Sequence, residues 1–325
     1  MLALLLVPAL AYGGGSAALA RAGSPSRPLL IKLSFHRVDG PIYSVLVSGD
    51  FAFLVDSYSS TMNSSAGVLL NERTGSRRQV NLPGCSPRAL GPPWLLFSCS
   101  AQDPASGLEA YSLNSGKTID IPAATPEQLC EVATECEPVA VAVGAHWVEF
   151  ENRNCGEHCA PEHAFEDIGS GAVRRDPTSS TTIPDLNSAS LGYRVCTPLR
   201  VPRVYQFDFS SWGSLTFQGR FAVAYGTDVN GRAFFHLEHC GSGVQRSIPF
   251  ESSQLFPVHN RTSVMWWPQL IPRDQLSGVF IPQLRAFSIR LPKAIGPTPL
   301  AALSTRTLYL LDGTRLWTAR APTGP

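Results

Sequence analysis

The feature of this sequence that most restricts its fold is an internal repeat of roughly 50 residues. A glycine followed closely by an aromatic residue and an apolar run occurs four times, at Gly49, Gly91, Gly144 and Gly219. A second glycine, preceded by Ser or Thr, follows in each copy, at Gly75, Gly116, Gly171 and Gly243. A recurring period of this length is typical of repeat architectures, in which each repeat is one supersecondary unit.

One unit reads as four short strands. In the second copy a short apolar strand follows the proline and ends in a turn at Gly91. A second strand, Trp94 to Cys99, and a third strand, Leu108 to Leu113, come after it. Asn114-Ser115-Gly116 is typical of a hairpin turn, because glycine adopts positive φ at no steric cost. Lys117 to Ile121 alternates polar and apolar residues, as a half-buried strand does. Pro122 then ends the unit, because proline cannot donate a hydrogen bond to a sheet. Four antiparallel strands are the content of a propeller blade.

Two less regular units follow the four marked ones. We expect Ser263 to Trp267 to pair with Arg285 to Leu291, and Thr307 to Leu311 to form a hairpin with Arg315 to Ala319. Leu29 to Phe35 can complete the last sheet and close a ring. The sequence therefore predicts an all-β fold, a β-propeller of about six four-stranded blades. A β-sandwich of similar strands is the alternative.

The blade pattern resembles that of bacterial lactonase-like, or surface-layer YVTN-type, propellers. Their repeats run from a proline through an apolar strand, a glycine and a second apolar strand to Asp-x-x-Thr-Gly and a final strand. Units one to four follow this order, but Asn71 and Asn114 stand near the place of the family's Asp, and the resemblance fades after Val264. It implies a fold and not a substrate, because propellers host many functions.

The N-terminal segment differs from the rest of the chain. Leu2 to Tyr12 is an apolar run, and Ala18-Leu19-Ala20 resembles a cleavage site, although no cationic residue precedes the run. The run is short for a bilayer span. We therefore expect a signal peptide over 1–20 and a single propeller domain over 21–325, with an insertion at about 178–212. The expected location is secreted, periplasmic or in the cell envelope, without a transmembrane anchor.

Composition narrows the choice of partner. Apolar residues make up 44% of the chain and charged residues 16%, which suits a folded chain with a large core. The net charge of +1 provides no overall field that would attract nucleic acid or anionic lipid. We expect a monomer without a cofactor, and an unknown protein or small molecule as its ligand.

The eight cysteines support export, because an even number in a secreted chain indicates disulfides. In an antiparallel blade the start of the first strand lies near the end of the second strand. This geometry pairs Cys85 with Cys99. Cys196 and Cys240 remain as a further pair, although their predicted positions on opposite loop faces fit a bond poorly.

The four cysteines of the third unit have alternative pairings. Repeat equivalence pairs Cys136 with Cys155 and leaves Cys130 with Cys159. Local pairing would instead join Cys130 to Cys136 and Cys155 to Cys159. A zinc site is a further alternative, and its ligands would come from Cys130, Cys136, Cys155, Cys159, His158 and His163. The spacings differ from the common C-x2-C, and disulfides are the default in an oxidising compartment.

No motif selects an enzymatic reaction. Gly-x-Ser-x-Gly is absent from the sequence, and no spacing selects two facing carboxylates. We expect a binding or scaffold module that uses the face carrying a helix from Thr125 to about Thr134, the loop from Cys155 to Cys159 and the insertion. Thr125, Pro126 and Gln128 form the start signal of that helix. The alternative is a secreted hydrolase or lyase with its site at the mouth of the central channel.

Overall fold

The computed structural model describes sixteen parts of the chain. These are residues 28–59, 64–99, 107–122, 124–129, 138–152, 163–176, 215–216, 221–227, 233–239, 245–249, 258–260, 262–266, 274–280, 283, 285–296 and 299–324. From 215 to 259 the description covers the backbone. The predicted signal peptide and the predicted insertion at about 178–212 lie outside these ranges.

The described residues form twenty-five strands and one short helix. Two strands precede the first complete sheet, β1 (Leu29–Ile31) and β2 (His36–Arg37). The first sheet contains β3 (Ser44–Ser48), β4 (Phe51–Ser59), β5 (Ser64–Asn71) and β6 (Ser76–Leu82). The second contains β7 (Ser86–Gly91), β8 (Trp94–Ser98), β9 (Leu108–Ser112) and β10 (Thr118–Asp120). The helix α1 (Pro126–Leu129) comes next.

Three more four-stranded meanders follow the helix. The third sheet contains β11 (Pro138–Val143), β12 (Trp147–Asn152), β13 (His163–Asp167) and β14 (Val173–Asp176). The fourth contains β15 (Leu215–Thr216), β16 (Phe221–Thr227), β17 (Ala233–His239) and β18 (Gln245–Pro249). The fifth contains β19 (Val258–His259), β20 (Ser263–Trp266), β21 (Gln275–Phe280) and β22 (Arg285–Arg290).

The sixth sheet combines both ends of the described chain. It contains β23 (Leu300–Leu303), β24 (Thr307–Asp312) and β25 (Arg315–Arg320), with β2 as its outermost strand. The first strands of neighbouring sheets lie side by side: β3 beside β7, β7 beside β11, β19 beside β23, and β23 beside β3. The last of these contacts returns to the first sheet. The fold is therefore a β-propeller with six blades, as the repeat predicts.

The meander defines two faces of the ring. Four antiparallel strands reverse the chain three times, so each blade ends on the side where it began. All first strands consequently start on one side, which we call the entry face. It carries the connections between blades and those from second to third strand. The opposite side, which we call the hairpin face, carries the turns from first to second and from third to fourth strand. Three of the latter turns contain a glycine with φ near +70°, at Gly75, Gly116 and Gly171.

The closure of the ring differs from the prediction. Leu29 to Phe35 does not complete the last sheet. Instead β1 adds a parallel fifth strand to the fifth sheet, opposite β22, and β2 completes the sixth sheet beside β25. Alternate apolar side chains explain the shift, because Leu29, Ile31, Leu33 and Phe35 pack on the core between sheets five and six. That packing leaves the next two residues to pair with β25.

A second prediction is wrong in the fifth sheet. Ser263 to Trp267 was expected to pair with Arg285 to Leu291, but β21 lies between the two and pairs with both β20 and β22. This blade lacks the glycine marks that identify strand order in the first four. The expected hairpin of β24 and β25 is confirmed, with Asp312 opposite Arg315 at its turn.

The apolar core lies between neighbouring sheets. Phe53 of sheet one and Leu95 of sheet two belong to one fully buried cluster. On the other face of sheet two, Leu96 packs in a cluster with Phe150 of sheet three. Strand alternation therefore sends successive side chains of β8 into two different cores. Within the described ranges there is no helix of the length and apolar character needed to cross a bilayer.

Candidate functional site

A disulfide joins two strand ends on the entry face of sheet two. Cys85 precedes β7, Cys99 follows β8, and the two form a disulfide, the pair that the antiparallel blade predicts. Glu109 at the start of β9 places Oε1 3.3 Å from the Cys99 sulfur. Burial, and then the charge of Asp120, raise the pKa of Glu109. The entry end of this blade is thus held by a covalent link beside a carboxyl group.

The other predicted cysteine pairs are not placed by the structure. Cys130, Cys136, Cys155, Cys159, Cys196 and Cys240 lie outside the described residues, as does His158. His163 begins β13, where its backbone pairs with Glu151. In the described part of the chain, the ligand-type side chains that cluster closely enough for a metal are those of Cys85, Cys99 and Glu109. Both sulfurs of that cluster are already bonded to each other.

The predicted helix begins on the entry face where expected. The Thr125 backbone N–H donates to Oε1 of Gln128 at 2.8 Å, which is one of the two bonds of a capping box. Leu129 ends the described helix and is buried in the core between sheets two and three. The remainder of the predicted helix, to about Thr134, lies outside the described ranges.

Four of the six first strands consist mostly of apolar residues. The sequences of β3, β7, β11 and β23 are SVLVS, SPRALG, PVAVAV and LAAL. Among these four strands Arg88 has the one charged side chain, and none of them contains a carboxylate. Strands nearest the axis of a propeller border its central channel. These four strands therefore border the channel with a largely aliphatic sequence that contains a single charged residue.

Arg88 occupies a β-bulge. In the pairing of β7 with β8, Pro87 lies opposite Phe97 and Ala89 lies opposite Leu96, so Arg88 is the extra residue. The side chain of Arg88 is half-buried, and its Nε atom is buried with no hydrogen-bond partner among the described residues. A bulge turns a side chain out of the regular alternation of its strand and is frequent beside functional sites.

Large apolar side chains are exposed at the entry face. Leu300, the first residue of β23, is 71% exposed, and Tyr43, which precedes β3, is 45% exposed. Because β23 and β3 are neighbouring first strands, these two side chains belong to adjacent blades at the mouth of the ring. Tyr58, near the entry end of β4, is also exposed. We call Tyr43, Tyr58 and Leu300 the entry patch.

The hairpin face instead carries a polar network with its partners in place. The Glu72 carboxylate accepts hydrogen bonds from the Ser304 hydroxyl at 2.6 Å and the Tyr309 hydroxyl at 2.5 Å. The side-chain amide of Asn260 donates to the backbone carbonyl of Ser304 at 2.8 Å. These bonds join blade five to blade six and blade six to blade one. We interpret this network as a structural link across the ring closure.

One buried carboxyl group lies between blades two and three. Glu166 of β13 is 1% exposed and sits opposite Val148, on the face that packs against sheet two. Neither of its oxygens has a hydrogen-bond partner among the described residues. Burial, and then the charge of Asp167, raise its pKa to about 7. Sequence reasoning missed this residue and Arg88, because an isolated charged residue in a strand pattern does not reveal its burial.

Several solved structures are similar to this chain at low sequence identity. No family profile matches the sequence, and no curated protein matches it. TolB from Acinetobacter baumannii is similar over 88% of this chain and 55% of its own, with 12% identity and a TM-score of 0.38. The propeller domain of the Trilobed protease from Pyrococcus furiosus is similar over 83% of this chain and 78% of its own, with 10% identity and a TM-score of 0.41.

A third solved structure is an acylaminoacyl peptidase from Pyrococcus horikoshii. It is similar over 87% of this chain and 46% of its own, with 10% identity and a TM-score of 0.39. The chain thus spans about half the length of TolB and less than half that of the peptidase. We draw no functional argument from likenesses at this level, and the fold assignment rests on the sheet topology.

Proposed function

We propose that this protein is an extracytoplasmic binding module that takes its ligand at the mouth of the ring, on the entry face. The entry patch carries the proposal: Leu300 and Tyr43 expose large apolar surfaces on adjacent blades, beside an aliphatic channel wall. Exposed apolar patches often mark binding sites, and tyrosine is enriched at protein interfaces. Loops on a rigid scaffold are also where binding residues concentrate.

The disulfide supports the location outside the cytoplasm. Disulfides persist in oxidising compartments and are rare in the cytosol of mesophiles. The pair Cys85 and Cys99 lies at the entry face, where it holds two strand ends beside the proposed site. The apolar segment from Leu2 to Tyr12 supports the same location as a candidate signal peptide.

A secreted hydrolase or lyase is the alternative. Its acid and base would have to come from segments other than β3, β7, β11 and β23, because these four first strands contain neither a carboxylate nor a histidine. The aliphatic wall favours binding through shape and apolar contact, which is the usual character of a ligand pocket.

A ligand screen with two matched variants tests the proposal. Thermal-shift screening of small carboxylates, phosphorylated metabolites and short peptides would identify ligands, whose dissociation constants are then measured by calorimetry. We expect Leu300→Asp to weaken binding at least about tenfold, the size of roughly one lost apolar contact. Ile119→Asp is the control, because Ile119 is also exposed but lies on the outermost strand of sheet two.

Two outcomes would contradict the proposal. The first is a ligand whose affinity is unchanged by both Leu300→Asp and Tyr43→Ala. The second is an equal loss in Leu300→Asp and Ile119→Asp, since that would indicate a general effect of added charge. Turnover of a screened compound, detected by mass spectrometry, would favour the hydrolase or lyase alternative.

A further inference from the structure

We propose that Arg88 recognises an oxyanion, so that the ligand of the ring mouth carries a carboxylate or phosphate group that pairs with its guanidinium. This inference rests on the proposed function and specifies the chemical class of its ligand. Three observations support it: the position of Arg88 in β7, its buried Nε atom without a hydrogen-bond partner among the described residues, and the aliphatic sequences of the neighbouring first strands.

The position comes from the bulge. Arg88 is inserted between two residues that are paired with β8, Pro87 and Ala89. β7 is a first strand and lies between β3 and β11 near the axis. Arg88 is the third residue of β7, two residues after Ser86 at the entry end. The bulge therefore places Arg88 on an innermost strand, two residues from its entry end.

The lack of a partner points to a ligand. The Nε atom of Arg88 is buried, and the described residues provide it with no hydrogen bond. The positive charge of the guanidinium makes this cost larger than it would be for a neutral donor. A buried charged donor without an acceptor is unfavourable, and carboxylate and phosphate oxygens match the geometry of the guanidinium.

Three other arginines have a carboxylate close to the guanidinium. Arg306 lies 3.6 Å from Asp50, Arg290 lies 3.8 Å from Asp274, and Arg315 pairs with Asp312. Each of these cations is near the surface and already has a carboxylate. Arg88 lies instead on β7, between the aliphatic strands β3 and β11, and its buried Nε atom has no acceptor among the described residues.

The test is an NMR titration of the wild-type protein labelled with ¹⁵N-arginine. The Nε–H signal of Arg88, assigned by its loss in Arg88→Gln, is followed during separate additions of sodium acetate and inorganic phosphate. Sodium chloride keeps the ionic strength constant. We expect a saturable shift with at least one probe. Saturation by acetate alone indicates a carboxylate ligand, saturation by phosphate alone a phosphoryl ligand, and either result supports the proposal.

Matched variants separate a site from general ion binding. Arg77→Gln removes the same charge from an exposed position on β6 and should leave the affinity of the probe unchanged. Arg88→Lys keeps the charge but loses the planar donor pair. Its affinity for the probe, measured by calorimetry because the Arg88 signal is lost, should be about tenfold weaker than that of the wild type. A linear shift without saturation, or equal effects of Arg77→Gln and Arg88→Lys, would overturn the proposal. If Arg88→Gln fails to fold, loss of the same signal in Arg88→Lys assigns it, and the wild-type titration still decides the matter.

Failure of this inference is distinct from failure of the proposed function. If Arg88 shows no saturable shift while Leu300→Asp still abolishes ligand binding, the oxyanion site is wrong and the entry-face site remains. If Arg88 binds the probe while Leu300→Asp and Tyr43→Ala leave ligand binding unchanged, the proposed site is wrong and the oxyanion site remains.

Discussion

Glu166 and Asp167 are adjacent in β13, and the pKa values of their carboxyl groups are shifted in opposite directions. Strand alternation sends Glu166 into the core between blades two and three, where burial and the charge of Asp167 raise its pKa to about 7. Asp167 instead accepts hydrogen bonds at Oδ1 from the Ser170 hydroxyl and backbone N–H, both at 2.7 Å, in the turn on the hairpin face. Those bonds lower its pKa. Neighbouring residues of one strand thus place their carboxyl groups in two different environments, the core and the turn.

Glu166→Gln should stabilise the protein at high pH more than at low pH. Below about pH 4.5 the carboxyl is protonated in both the folded and the unfolded chain, so the wild type loses nothing. As the pH rises from there, the unfolded chain ionises first, and wild-type stability falls until the pH passes about 7. The shift from 4.5 to about 7 corresponds to a loss of about 3 kcal/mol. Urea denaturation at pH 5 and pH 8 measures the difference, and a gain independent of pH would contradict the assignment.

Asp167→Ala should show the opposite dependence on pH. The ionised carboxylate stabilises the turn through the backbone N–H groups of Gly169 and Ser170 and the Ser170 hydroxyl. Its lowered pKa means that this stability is present above about pH 3.8 and is lost as the pH falls through the folded-state value. We expect a loss on the order of 1 kcal/mol at pH 7 that shrinks in acid. Equal losses at pH 7 and at pH 3 would show that the carboxylate charge is not responsible.

Tyr309→Phe should weaken the link between blades six and one. The hydroxyl of the buried Tyr309 donates to Glu72, and burial followed by this contact raises the pKa of Tyr309. Removing the hydroxyl leaves one oxygen of the Glu72 carboxylate without its donor. Loss of a hydrogen bond to a charged group should lower the free energy of unfolding by about 2 kcal/mol. Tyr111→Phe is the control, because its hydroxyl accepts an exposed bond from Arg78 at 3.3 Å. A change in unfolding free energy of the same size in both variants would contradict the role of Glu72.

Replacing both Cys85 and Cys99 with serine should lower stability by about 3 kcal/mol. The bond closes a loop with a sequence separation of 14, and the estimate follows from the conformational entropy that it removes from the unfolded chain. Peptide mapping without reduction should recover a linked peptide pair from the wild type. Recovery of alkylated Cys85 and Cys99 as free thiols would contradict the pairing.

Local patterns were sufficient for much of the fold. The hairpin turns at Gly75 and Gly116, the start of the helix at Thr125 and the disulfide of Cys85 with Cys99 depend on neighbours within one blade. Turn chemistry, capping and antiparallel geometry act over such distances, so their signals are visible in the chain. The six-bladed propeller followed from repeating those signals. The steric requirement for glycine at position 91 was not evident from the sequence. A Cβ there would lie 1.8 Å from the Val143 carbonyl oxygen of the next blade.

The repeat and the strand order of its four marked units are therefore determined by the sequence itself, since each blade pairs residues that are close in the chain. The tertiary structure decided how the ring closes, where His36 pairs with Thr318 across 282 residues and Leu29 joins the fifth sheet instead. It also decided that Glu166 is buried and that Arg88 lies on a bulge near the axis. Such properties depend on which surfaces meet after distant segments have packed, and no local pattern carries that information.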